Sequence, residues 1–112
     1  MSDRMDQLLQ ELLMFRRERD WGKFHTPRNL AIFISIEAAE LLVHFPWRIE
    51  DKAMTSLAKE KIAEEIADTF IYLLLLSHDP GIDLVEAATK KIQENNERYP
   101  IEEAKGSAKK YT

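Results

Sequence analysis

Glu37 and Glu40, in I-E-A-A-E-L-L, and Glu65 and Asp68, in E-E-I-A-D-T-F-I-Y, are the residues whose types and spacing best suit chemistry. Each pair is spaced i, i+3, so on a helix both carboxylates leave one face with Cβ atoms about 5–6 Å apart. The rest of each face is apolar. Like charges at that spacing repel, and burying them is costly unless a positive charge compensates. A divalent cation does so, and hard carboxylate oxygens suit Mg²⁺ or Mn²⁺. The plainer alternative is a solvated acidic face stitched by Lys or Arg one turn away. Glu37 has Phe33, Ile34, Glu40 and Leu41 as helical neighbours, and Asp68 has Glu64, Glu65, Ile71 and Tyr72. Neither set holds a cation. Glu40 has Glu37 and His44 beside it, whereas Glu65 has a ready partner in Lys61.

The elements that must position these pairs are helical throughout. Met5, Leu8, Leu9, Leu12 and Phe15 form a stripe over a helix from Asp3 to Glu18, with Ser2 as a candidate cap. Arg19 to His25 reads as a loop. Thr26-Pro27 marks the start of a second helix running from Arg28 to His44, because threonine caps and proline tolerates the first turn. Pro46 stops it, and a loop with Trp47 follows. A third helix runs from Ala53 or Ser56 to His78 and ends at Asp79-Pro80-Gly81. Asp83 with Glu86 opens a fourth, which reaches Arg98 before Tyr99-Pro100 breaks it. The tail reads as irregular, and no strand pattern or repeat is present. Four helices with short connections predict an all-α, four-helix bundle protomer, in a single domain over residues 1–112. The third helix reads F-I-Y-L-L-L-L, apolar on every side, and needs burial on every side. That predicts a homodimer or a dimer of dimers (homotetramer), with this helix near the interface; the competing explanation is a tightly wrapped monomeric core.

Composition narrows the function classes. The 112 residues carry 16 Lys and Arg against 20 Asp and Glu, a formal charge of −4. A general nucleic-acid-binding surface would be basic, so a nucleic-acid polymer is not the expected partner. A small phosphorylated substrate remains compatible, because metal ions bridge acid to phosphate. Cysteine is absent, which removes disulfides and thiol chemistry. The apolar run from Phe70 to Leu76 is too short to span a bilayer, and the N-terminus lacks the regions of a secretory signal. The expected location is the cytoplasm, with no membrane partner.

Further candidates flank the acidic helices. Trp21 and Trp47 lie in loops on either side of the second helix, either as hydrophobic lids or as stacking surfaces for a base. Tyr72 lies one turn after Asp68 on the same face. His25, Arg28 and Asn29 surround a helix N-terminus suited to anions. Lys91 and Asn95, four residues apart, suit phosphate or a metal's water shell, against the plainer reading of a solvated face. His44 and His78, near helix ends, read as structural.

Taken in order, R-D-W-G-K-F-H-T-P-R-N-L, the E-x-x-E of Glu37 and Glu40, F-P-W at Phe45 to Trp47, the E-x-x-D of Glu65 and Asp68, and K-I-Q-E-N-N-E-R-Y-P resemble the MazG-like nucleotide pyrophosphohydrolases. Within that all-α NTP pyrophosphatase superfamily the likeness is to the dCTP pyrophosphatase branch, and it runs from Arg19 to Thr112. The resemblance implies Mg²⁺-dependent hydrolysis of a (deoxy)nucleoside triphosphate, such as dCTP or a modified dNTP, to the monophosphate and pyrophosphate. It implies a house-cleaning role in the nucleotide pool. Glu37, Glu40, Glu65 and Asp68 would be the metal-binding and catalytic carboxylates. Trp21, His25, Arg28, Asn29 and Trp47 would line the base and nucleotide, and Tyr72, Lys91 and Asn95 would lie near the phosphates. The resemblance also implies self-association as a homodimer or homotetramer. The chain departs from longer relatives in lacking an N-terminal extension and in a short connection after Trp47, which bears on substrate choice more than on catalysis. Other substrates of the superfamily, dUTP or phosphoribosyl-ATP, and a non-catalytic nucleotide-binding helical partner protein are the alternatives.

Overall fold

A computed structural model describes residues 3–45 and 56–107. The described residues are helical, and no strand occurs among them. The long helices are α1 (Asp3–Glu18), α2 (Pro27–Val43), α3 (Ser56–His78) and α4 (Leu84–Arg98). A single 3₁₀ turn, Gly22–Phe24, joins α1 to α2, and a four-residue α5 (Ile101–Ala104) follows α4. The tail is therefore not wholly irregular as expected. Pro100 supplies a fixed start, and Glu102 and Glu103 complement the dipole of the first turn.

Local chemistry accounts for the helix ends. Thr26 Oγ1 accepts the Asn29 N–H at 3.1 Å, with Pro27 in the first turn. Asp83 Oδ1 accepts the Glu86 N–H at 3.0 Å and caps α4. The C-terminus of α1 closes in a double hydrogen bond, Trp21 N–H to the Arg16 carbonyl at 3.0 Å and Asp20 N–H to the Arg17 carbonyl at 3.1 Å. Asp20 takes the left-handed conformation this closure requires, φ 53°. The C-terminus of α3 closes the same way around Gly81, φ 79°, with Ile82 N–H on the Ser77 carbonyl at 2.8 Å.

α2 and α3 pack along their length, and α1 crosses α3 more sparsely. Leu30, Leu74 and Leu75 are fully buried, joined by Leu9 and Ile62. α4 packs little against the other helices. The radius of gyration, 17.4 Å, exceeds the roughly 13 Å of a compact chain of this length. Leu42, Val43, Leu57, Ile66 and Ile92 are exposed apolar residues. Leu73, within the all-apolar run of α3, is also exposed, while Leu74 and Leu75 beside it are not. Among the described residues, no helix is long and apolar enough to cross a membrane.

Candidate metal and nucleotide site

The packed α2–α3 pair brings the two acidic motifs together. Glu37 from α2 and Glu65 and Asp68 from α3 each offer a carboxylate oxygen within 4.8 Å of the others. One oxygen of Glu37 and one of Glu65, the Oε2 atoms, are buried and have no hydrogen-bond partner. Burial pushes the Glu37 carboxyl up to about 7, with the adjoining Glu65 carboxyl and the charges of Glu40 and Asp68 acting in the same direction. Buried polar atoms are normally satisfied, and carboxylates are not normally crowded without a counter-charge. Converging carboxylate oxygens of this kind suit a divalent metal, so the triad could hold one.

Glu40 lies outside the triad, close enough to act on Glu37 through its charge. Lys61 forms no ion pair with Glu65, contrary to the helical-spacing expectation. Instead the His44 ring lies beside it, with Nε2 3.8 Å from Glu65 Oε1. His44, read from sequence as structural, therefore borders the acidic centre.

Beside the triad, a cleft of about 410 Å³ opens between α1, the 3₁₀ turn and α3. Its aromatic wall comprises Phe15, Trp21, His25 and Tyr72, and Asp68 reaches it from the acidic side. The rings interlock. Phe15 meets Trp21 edge-on at 5.6 Å between centroids, Trp21 meets His25 at 6.4 Å, and His25 meets Tyr72 at 6.4 Å. Phe33 backs Tyr72 at 5.4 Å. Trp21 remains 42% exposed, so its ring is available for stacking. Burial pushes the Tyr72 hydroxyl up, helped by the Glu37 and Asp68 charges, so it stays a donor. Burial, then the Arg16 charge, lowers His25 below its ordinary value against the opposing Asp79, and its Nδ1 is buried without a partner.

The remaining sequence candidates divide. Asn29 is used locally: its side-chain N–H donates to the Phe24 carbonyl at 3.0 Å and braces the 3₁₀ turn. Arg28 is exposed at the start of α2. Lys91 pairs with Glu94 at 3.7 Å, and the Asn95 carbonyl accepts the Tyr99 N–H. Both sit on α4, and no hydrogen bond or ion pair among the described residues ties them to the triad. Trp47 and Ser2 lie outside the described residues. Phe15, Arg16, Phe33 and Asp79 were not singled out from sequence. Phe15 shows there as a member of the α1 core stripe, and Arg16 and Asp79 are 63 residues apart with no local signal joining them.

Fold and site together define an all-α protein with a carboxylate centre for a divalent metal beside an aromatic cleft. The chain belongs to the MazG-like family, which it matches over residues 32–112. It is 37% identical to dCTP pyrophosphatase 1 of Mus musculus over 102 residues, covering 88% of this chain and 60% of that protein. The likeness to the Homo sapiens dCTP pyrophosphatase 1 is 35% over the same coverage. The chain thus spans 60% of the length of these relatives. The crystal structure of a pyrophosphatase from Archaeoglobus fulgidus is 41% identical, with a TM-score of 0.76 over 89% of this chain and 95% of that one. The resemblance read from the motifs holds.

Proposed function

We propose that the chain is a nucleoside triphosphate pyrophosphohydrolase, hydrolysing dCTP or a modified dNTP to the monophosphate and pyrophosphate in nucleotide-pool house-cleaning. The observation that carries this reading is the Glu37–Glu65–Asp68 carboxylate cluster, with buried partnerless oxygens on Glu37 and Glu65 and with Asp68 lining an aromatic cleft. The names of the relatives point the same way. Glu37, Glu65 and Asp68 would hold Mg²⁺, and Mn²⁺ suits the same oxygens. Bound there, the ion supplies charge neutralisation for the triphosphate and Lewis acidity at the reacting phosphorus.

The chain's own groups do the rest. Trp21 stacks on the base while Phe15 and His25 keep it upright. The Tyr72 hydroxyl donates to a phosphate oxygen. Glu40, free of the triad, orients the attacking water and takes its proton on its carboxylate. Arg28, Asn29, Trp47, Lys91 and Asn95 complete the nucleotide surface in the assembled protein. That assembly is a homodimer or homotetramer of single-domain protomers, each with four long helices and the short α5. The extended shape and exposed Leu42, Val43 and Ile66 support self-association. Lack of cysteine suits the reducing cytoplasm.

The test is product analysis. The protein is incubated with canonical and modified dNTPs, with dUTP and phosphoribosyl-ATP alongside, with and without Mg²⁺, and the products are resolved by ion exchange. Mg²⁺-dependent monophosphate plus pyrophosphate is expected, and Asp68→Asn should remove it while helix content stays unchanged. No turnover of any nucleotide would overturn the reading and leave a nucleotide-binding helical partner protein in its place. Sedimentation velocity tests the assembly, and a monomer at all concentrations would refute it.

A further inference from the structure

The pair Arg16–Asp79 joins two ends of the fold that little else connects. Arg16 Nη1 donates to Asp79 Oδ2 at 3.0 Å and Nη2 to Oδ1 at 2.9 Å. This is a two-point fork, the arrangement that adds direction as well as attraction. The Arg16 side chain is only 16% exposed. Hydrogen bonding by Arg16 holds the Asp79 carboxyl below its ordinary range, so the pair is ionic at neutral pH.

Arg16 has a second attachment. Its carbonyl accepts the Trp21 N–H in the closure of α1, so the backbone of Trp21 hangs from the residue that Asp79 grips. Asp79 lies seven residues, about two helical turns, beyond Tyr72 and Leu75 lies between them. Arg16, Trp21, Tyr72 and Leu75 all line the cleft. Packing of α1 on α3 is otherwise sparse. Both terminal guanidinium nitrogens are engaged by Asp79, so Arg16 braces the cleft wall.

We propose that the Arg16–Asp79 pair is a positioning latch that holds Trp21 in the aromatic wall it shares with Tyr72, and so sets the surface an aromatic base must meet. This rests on the cleft being the base pocket of the proposed function. An unlatched α1 must be reordered each time a ligand binds, and that ordering subtracts from affinity. Asp79 is neither in the triad nor itself in the cleft lining, which it reaches through Arg16, so loss of the latch affects binding and leaves the chemical step in place.

The experiment uses the full chain, with Asp79→Asn, Arg16→Lys and the charge-swapped double variant Arg16→Asp/Asp79→Arg. Calorimetry measures dCMP binding without divalent ions, and steady-state kinetics separate KM from kcat for dCTP with Mg²⁺. Asp79→Asn should weaken dCMP binding and raise KM, each by about five-fold to ten-fold, with kcat within about two-fold. Arg16→Lys, which keeps the charge and loses the fork, should show the same direction of change should Asp79→Asn fail to fold. The charge swap should recover at least half of the lost affinity. Unchanged dCMP affinity and KM in the folded single variants would overturn the latch while the pyrophosphohydrolase stands. So would a kcat loss at constant KM, or a folded charge swap as weak as the single variants. A wild-type protein that neither binds dCMP nor hydrolyses dCTP would remove the base-pocket reading and the latch with it.

Discussion

Replacing Glu37 with glutamine should make the metal-free protein more stable at alkaline pH, because the native fold pays to keep this carboxylate in a crowd of like charges. Glu37 ionises near 7 in the fold against 4.5 ordinarily. Between those values the unfolded chain has released its proton and the folded chain still holds it. Stability is then present in full below about pH 4.5 and falls as pH rises through 7. At ~1.4 kcal/mol for each pH unit separating the two states, the loss approaches roughly 3 kcal/mol. Glutamine keeps the shape and removes the titration. Urea unfolding followed by circular dichroism, in EDTA at fixed protein concentration, measures the difference. The wild-type midpoint should fall between about pH 5 and pH 8 by about 1–3 M more than that of Glu37→Gln. Adding Mg²⁺ at the upper pH should reverse the order, stabilising the wild type and leaving the variant nearly unmoved. Parallel pH profiles for the two proteins would refute the reasoning, since they would mean that Glu37 carries no electrostatic burden.

Leu74 is 1% exposed, and Leu74→Ala should cost about 3 kcal/mol and lower Tm by about 10 °C in a thermal melt. Asp20 holds a left-handed turn with φ 53°, so Asp20→Gly should gain about 0.5 kcal/mol, against a small loss of the exposed Lys23 pair, with helix content unchanged. Trp21→Ala should weaken nucleotide binding by about ten-fold or more, while the Mg²⁺-dependent shift in Tm persists.

Much of the fold was legible because its signals are local. The α1 stripe, the Thr26-Pro27 start and the Asp83 cap each place a boundary within one residue of the observed one. The metal centre was legible in part: i, i+3 spacing put two carboxylates on each face, and absent cations marked Glu37 and Asp68. Spacing could not say that Glu40 stays outside the triad, because that depends on how α2 is rotated against α3. It also misassigned the partner of Glu65, since Lys61 satisfies helical spacing while His44 reaches Glu65 from the end of the neighbouring helix. The cleft was least legible. Phe15 carries the same periodic signal as a core residue, and the Arg16–Asp79 pair spans 63 residues, a contact only the tertiary fold creates.

The acidic centre belongs wholly to α2 and α3, whereas α1 and the 3₁₀ turn supply the opposite wall of the cleft and rest on α3 lightly. Under the proposed function, reaction and recognition would be housed in separable parts. Substitutions accumulating in α1 would reshape what the cleft admits while the carboxylates keep their spacing. The reverse does not hold. A change in how α2 lies on α3 moves the donor atoms themselves, so variation there disturbs the acidic centre directly.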